Sequence, residues 1–203
     1  MKIVCVTQRL IYDKITNTFK DGLDKDLTVF LYKLGYMIIP IPNLNFTELE
    51  FMQMIKIYVH KLKICGFVLS GGEDIGVNLN RDRIERKIIV FCKKKKFPLV
   101  GICRGLQIIA KFNKIKLIKI TNHVRTRHKV YKTKTKRFKK VNSFHNWGFK
   151  NCPKNFISTY VTKDKFIESI EHHELPIKAM MWHPERERKY STEDKKIFLN
   201  TLK

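Results

Sequence analysis

The sequence predicts an α/β fold: a mostly parallel central sheet flanked by helices in a flavodoxin-like three-layer arrangement, with β-hairpins added in the second half. Three observations lead there. The chain has 203 residues, 43% of them hydrophobic, enough to bury one core without disulfides or a metal. Short apolar runs alternate with amphipathic stretches up to residue 112, and parallel neighbours need such crossovers. Residues 116–182 instead break into short β-like runs with polar turns, among them FISTYV and KFIESIE. No repeat or linker interrupts residues 1–203, so a single domain is expected.

Each element has its own signal. KIVCVT (2–7) is a short apolar run and reads as a buried strand. DKDLTVFLYKLG (24–35) has helical spacing and stops on Gly35. YMIIPIP (36–42) is a strand ended by prolines. TELEFMQMIKIYVHKL (47–62) is a helix with Thr47 as N-cap and Glu50 three residues on, a capping box. ICGFVLSGG (64–72) is a strand running into a glycine turn, and DRIERKIIVFCKKKK (82–96) is a helix. FPLVGI (97–102) is the next strand, and RGLQIIAKF (104–112) opens the helix after it. PIKAMMW (176–182) is a last apolar strand, and TEDKKIFLNTLK (192–203) is a closing helix.

The formal net charge is +24. Such an excess attracts polyanions, so nucleic acid must be considered. The basic residues are mostly Lys and lie along the whole chain, which fits a solvated face. The most basic stretch, RTRHKVYKTKTKRFKK (125–140), interleaves Tyr131 and Phe138. A nucleic-acid arm has that composition, but KVYKTKTKRF also alternates like an exposed hairpin strand, the preferred reading. No apolar run approaches the roughly 20 residues of a membrane helix. The start, MKIVCVTQRL, reads as a strand and not as a signal peptide. Five cysteines with no CxxC pair and no zinc-like spacing argue against disulfides and metal. A cytoplasmic protein with no cofactor is expected, and a homo-oligomer is left open.

One cysteine differs from the rest. Gly101-Ile102-Cys103-Arg104-Gly105 lies between a predicted strand and a predicted helix, the context of a nucleophile elbow. The helix beginning after Cys103 points its positive end at the sulfur and favours thiolate. A thiolate needs a base and a group to orient it. His183 follows the last apolar strand in MMWHPERE, and Glu185 stands two residues on. Read alone, His183 is a surface histidine in a charged turn; paired with the elbow it becomes the candidate base. LSGGED (69–74) ends another strand, where Gly71 and Gly72 free the backbone to aim N–H groups into a site. The N–H of Arg104 is the second expected oxyanion donor.

Together, LSGGEDI, GICRGLQII and MWHPERE resemble the class I glutamine amidotransferase-like family, and within it the γ-glutamyl hydrolases of peptidase family C26. That pattern is GG-D, then G-x-C-R-G-x-Q, then W-H-P-E, and its order and spacing agree along nearly the whole chain. The resemblance implies Cys103 as nucleophile, His183 as base, Glu185 as its orienter, and Gly72 and Arg104 as the oxyanion hole. It implies Gly71 and Gln107 beside the substrate. VNSFHNWGF (141–149) resembles the family's VNS-x-H segment, which borders the glutamyl pocket and implicates Asn142, Ser143 and His145. The family often continues with a second His or Gln, where this chain has Asn146 and Trp147. NSFHN, with TQRL near the start and NHVRTRHKV upstream, resembles the branch that hydrolyses γ-glutamyl-CDP-amidate. That branch frees cytidine diphosphoramidate for phosphoramidate decoration of surface polysaccharide. A nucleotide-linked small substrate is then expected, with Arg125 and Arg127 holding its diphosphate. For His123 and His128 a structural or solvated role is expected. Two other readings stay within the family's chemistry: a γ-glutamyl-GABA-type hydrolase, and a glutaminase feeding ammonia to a synthetase. A nucleic-acid-binding module on an enzyme-like fold would show salt-sensitive binding unaffected by Cys103→Ala; the intact triad argues against it.

Overall fold

A computed structural model describes residues 1–121 and 123–203. KIVCVT forms strand β1 (Lys2–Thr7). A hairpin follows, β2 (Arg9–Asp13) and β3 (Thr18–Gly22), then helix α1 (Lys25–Lys33), capped by Asp24, and strand β4 (Tyr36–Ile41). Helix α2 (Glu48–Lys56) begins with the expected Thr47–Glu50 capping box. It is shorter than the apolar spacing suggested, because Ile57–Lys61 continue as a π-helical turn. Strand β5 (Ile64–Leu69) leads to helix α3 (Leu79–Lys95), which starts three residues before the expected Asp82 because Asn78 caps it by accepting from the Arg81 N–H. Strand β6 (Leu99–Ile102) and helix α4 (Arg104–Phe112) flank Cys103. The second half is β-rich: β7 (Ile118–Lys119), β8 (Val124–Lys132), β9 (Phe138–Phe144), β10 (Trp147–Gly148), β11 (Phe156–Val161), β12 (Ile167–His172) and β13 (Ile177–Met180). Helix α5 (Thr192–Thr201) closes the chain.

Nine strands share one sheet in the order β4-β1-β5-β6-β13-β12-β11-β8-β9. From β4 to β13 all neighbours are parallel; from β13 to β9 all are antiparallel. The hairpins expected in the second half are thus an antiparallel extension of the parallel sheet. Alternation along the parallel strands fills two cores. Cys5, Phe67, Leu69, Leu99 and Ala179 face α2, α3 and α4, while Val4, Val6, Val68, Val100 and Met180 face α1 and α5. Each such fully buried aliphatic or aromatic side chain contributes about 1.5–3 kcal/mol, so the three layers follow from period-two burial.

Several boundaries differ from expectation. Pro40 lies inside β4 opposite Val6 and does not end it; β4 is an edge strand, where a missing N–H is harmless. The last strand stops at Met180, and Met181 turns away. The basic stretch 125–140 is the β8–β9 hairpin at the other edge. Lysines on such an edge discourage pairing with a second sheet. Among the described residues no helix is long and apolar enough to cross a membrane.

Candidate active site

The chain runs from β1 out to β4 and then returns to β5 on the other side of β1. At such a switch point a crevice opens beyond the carboxyl ends of the strands. Thr7 ends β1, Ser70-Gly71-Gly72 follow β5, Cys103 follows β6, and His183 lies three residues past β13. The parallel register therefore brings together segments more than a hundred residues apart.

Cys103 occupies the sharp turn between β6 and α4 with φ 50° and ψ −100°, a left-handed backbone that costs a non-glycine residue of order 1–3 kcal/mol. The glycine frame has a measurable cause. A Cβ on Gly105 would lie 2.3 Å from the Leu69 carbonyl oxygen, and one on Gly101 would lie 2.8 Å from the Gly105 carbonyl carbon. The elbow can pack onto β5 only with both bare. Helix α4 presents its N-terminal N–H groups beside the sulfur, and the Arg104 N–H has no protein partner among the described residues.

His183 and Glu185 are both buried, with imidazole Nδ1 2.6 Å from Glu185 Oε1. The Nδ1–H donates to the carboxylate, leaving the other nitrogen for the cysteine. Burial alone would push the Cys103 thiol up, but the His183 imidazolium beside it, through charge and a hydrogen bond, brings it below its ordinary value. In turn burial opposes the His183 charge, yet the Cys103 thiolate, with Glu185 behind, raises its pKa to about 10. Each group thus favours the charged form of the other. Gly71 packs on the imidazole: a Cβ there would lie 2.6 Å from His183 Cε1. Gly72 is next to it, and neither glycine N–H has a protein partner among the described residues.

Asn142 has a different setting from the expected pocket wall. Its Nδ2 donates to the His183 carbonyl at 2.7 Å and to Glu187 Oε1 at 2.8 Å, and its Oδ1 accepts the His183 N–H at 2.9 Å. It clasps the backbone that carries the imidazole. Ser143 donates to the His123 carbonyl at 2.5 Å, and His145 Nδ1 lies 3.0 Å from the Trp147 carbonyl oxygen. Gln107, one turn beyond Cys103, donates to the same carbonyl at 3.1 Å and lines a cavity of about 290 Å³ with Ile75, Lys111, Lys116 and Trp147. The Trp147 indole donates to Asp74 at 3.0 Å, tying the GG-x-D segment to β10. Arg127 is committed to Glu187, at 3.0 Å from both oxygens. Arg125 is exposed and makes no ion pair with a described residue. A larger cavity, about 570 Å³ between α2 and α3, shares no residue with Cys103 or His183.

Sequence reasoning missed the support beneath the site. Fully buried Arg81 donates to Glu85 at 2.9 Å, to Glu73 at 2.9 Å, and to the Ser70 and Gly71 carbonyls at 2.8 and 3.1 Å. The Arg104 side chain pairs with Asp82 and Glu85, and Thr7 donates to Glu85 at 2.9 Å. Burial would push the Glu85 carboxyl up, but the two guanidinium groups hold it below the usual range. One helix of charges thus fixes the glycine turn and the elbow relative to each other. Its only sequence signal is Arg81, Asp82 and Glu85 on one face of α3.

The peptidase C26 family profile matches residues 53–185, which include Cys103, His183 and Glu185. The γ-glutamyl-CDP-amidate hydrolase of Campylobacter jejuni is 34% identical over 149 residues, 70% of this chain and 73% of that protein. A glutamine-hydrolysing GMP synthase of Petrotoga mobilis is 28% identical over 60% of this chain but only 25% of its own length. Among solved structures, one described as a GMP synthase subunit of Thermoplasma acidophilum superposes with a TM-score of 0.72 at 22% identity, covering 100% of this chain and 92% of that one. A glutamine amidotransferase of Thermotoga maritima gives 0.62 at 14% identity, over 91% and 76%. With its elbow, its histidine at a neighbouring strand end and its glutamine amidotransferase fold, the chain belongs to the peptidase C26 family.

Proposed function

We propose that the chain hydrolyses a γ-glutamyl amide through a γ-glutamyl thioester on Cys103, and that its substrate is γ-glutamyl-CDP-amidate. The observation that carries the reaction is the buried line of Cys103, His183 and Glu185, with His183 Nδ1 2.6 Å from Glu185 Oε1 and its charge favoured by Cys103. The thiolate attacks the γ-carbonyl carbon, and the carbonyl electron pair moves onto oxygen. The N–H groups of Arg104 and Gly72 receive that charge, each such donor being worth about 3 kcal/mol. Collapse of the adduct breaks the C–N bond, and the His183 imidazolium gives its proton to the departing nitrogen. Water then loses a proton to His183 and attacks the thioester. Thiolate leaves, glutamate is released, and the resting pair is restored. Asn142 and Glu185 act as positioning residues for His183.

The substrate rests on the relative that is 34% identical and on charge. A CDP-amidate leaving group carries a diphosphate, and Lys111 and Lys116 line the cavity beside Gln107. Arg125, exposed on β8, completes the candidate cations. The product would supply phosphoramidate modification of surface polysaccharide. Five free thiols suit a reducing compartment, and a cytoplasmic location is part of the proposal.

The test is glutamate release from γ-glutamyl-CDP-amidate, glutamine and γ-glutamyl-GABA, with wild type and Cys103→Ala. Turnover of the CDP-amidate alone, abolished in Cys103→Ala, is expected. Release from only the other two compounds overturns the substrate, and activity surviving in Cys103→Ala overturns the mechanism. The likeness to GMP synthases favours a second reading, a glutaminase feeding a synthetase. That reading requires glutamine turnover that rises when the synthetase is added.

A further inference from the structure

Behind the candidate active site, on the antiparallel side, three histidines converge on one carboxylate. Glu168 Oε2 lies 3.4 Å from His128 Nε2, and Glu168 Oε1 lies 3.5 Å from His145 Nε2 and 4.0 Å from His123 Nδ1. The Glu168 and His145 side chains are 1% exposed; those of His123 and His128 are 11% and 18%. None of these four side chains takes part in the reaction proposed above.

The cluster concentrates unmet polar groups. Of twelve buried side-chain nitrogens and oxygens without a hydrogen-bond partner among the described residues, six belong to it, including both Glu168 oxygens. Buried polar atoms normally have partners, so six in one place point to something that binds them together. His123, His128 and Glu168 each offer a ligand atom within 4.8 Å of the other two, while His145 stands beside Glu168 Oε1 with its ring held at the Trp147 carbonyl.

The backbone is shaped to make the cluster. Residues five apart on a regular strand point to opposite faces. His123 and His128 nonetheless meet, with ring centroids 4.6 Å apart. The register of β8 against β9 shifts between Val124 and Thr126, and Arg125 in that bulge has φ 52°. The extra residue reverses the alternation and turns both imidazoles to the same side.

We propose that His123, His128 and Glu168, whose ligand atoms all lie within 4.8 Å of one another, form a binding site for a divalent transition metal, with Zn²⁺ as the best match and water completing its shell. A tetrahedral zinc with bonds of about 2.0–2.2 Å has ligand atoms roughly 3.4 Å apart, close to the 3.4 Å between Glu168 Oε2 and His128 Nε2. Imidazole and carboxylate ligands suit zinc. The ion would tie β8, with the residue that leads into it, to β12. The absence of cysteine spacing had argued against a metal; the ligands here come from histidines whose spacing is meaningful only with the bulge.

The test uses the full-length protein stripped with chelator and titrated with ZnCl₂ by calorimetry, then loaded with Co²⁺ for visible absorption. One equivalent of Zn²⁺ is expected, with the intense visible bands of four-coordinate Co²⁺ and no sulfur-to-metal charge-transfer band. His128→Ala and Glu168→Gln should weaken binding at least about tenfold, whereas Cys103→Ser and His60→Ala should bind as wild type. Absence of stoichiometric binding, a thiolate charge-transfer band, or loss of binding in Cys103→Ser overturns the proposal. Should either ligand variant fail to fold, the wild-type Co²⁺ spectrum still decides between nitrogen–oxygen and thiolate ligation.

Discussion

In the parallel half of the sheet, four strands end at one rim, and the residues just past those ends meet in a crevice. The antiparallel half gathers its polar cluster another way, by side chains on strand faces meeting across β8, the end of β9 and β12. In the first region chemistry is set by where strands stop; in the second, by which way a bulge turns side chains. The difference has an energetic side. Parallel strand ends expose N–H groups and helix termini, so a thiolate forms there at little cost. A strand face offers no such dipoles, and its buried carboxylate needs a cation close by.

The largest separation between the halves should come from Cys103→Ala, which is expected to lower glutamate release at least about 10⁴-fold with an unchanged melting temperature. An activity loss below tenfold would mean the elbow is not the reacting centre. The pH profile probes the same pair. Cys103 sits below its ordinary pKa, so activity should persist below that value and fall only as pH drops through the lowered one. His183 is raised to about 10, so activity should decline as pH rises through that region and the imidazolium is lost; a midpoint near an unperturbed histidine instead would contradict the ion pair.

Breaking the support under the parallel rim comes next. Glu85→Gln leaves Arg81 and Arg104 short of a buried partner and should cost about 3–5 kcal/mol by denaturant unfolding; a loss under 1 kcal/mol would deny the network its structural role. Because the Glu85 carboxyl lies below its unfolded value, its contribution is complete above the unfolded pKa and disappears as pH falls through the lowered one. Asn142→Ala should act on rate more than on KM, by about 1–3 kcal/mol, since it strips partners from the His183 backbone; steady-state kinetics that moved KM alone would place Asn142 against substrate instead. The smallest effect is expected from the antiparallel side. Tyr160→Phe removes a hydroxyl 2.8 Å from Glu193 and should cost about 1 kcal/mol of stability with kcat unchanged. A matching fall in kcat would show the two halves to be coupled.

What could be read in the sequence follows the same division. The β1, β5, β6 and β13 strands announce themselves as apolar runs, and Gly101, Gly105 and Gly71 mark the places where a side chain has no room. Cys103, His183 and Glu185 were legible because they stand next to those signals. Arg104 was legible only as a backbone donor, since its side-chain partners Asp82 and Glu85 lie on a helix about twenty residues earlier and carry no mark beyond the face they share with Arg81. The β2–β3 hairpin went unseen because its turn has no glycine: Asp13 accepts from Ile15 and Thr16, and Asn17 takes φ 53°. His123 and His128, expected in a structural or solvated role, gave no sign of meeting at one carboxylate for a related reason. Their spacing puts them on opposite faces of any regular strand, and a bulge built on Arg125 leaves no trace in residue type.

The bond from Trp147 to Asp74 has a practical consequence. The chain holds two tryptophans. Trp182 is 1% exposed and covered by the Lys139 ammonium at 4.2 Å, so its surroundings change little when anything enters the crevice. Trp147 is half-buried on the wall of the cavity beside Gln107. Its fluorescence is therefore a native optical signal of cavity occupancy. It could be followed in real time during a single turnover without attaching any dye.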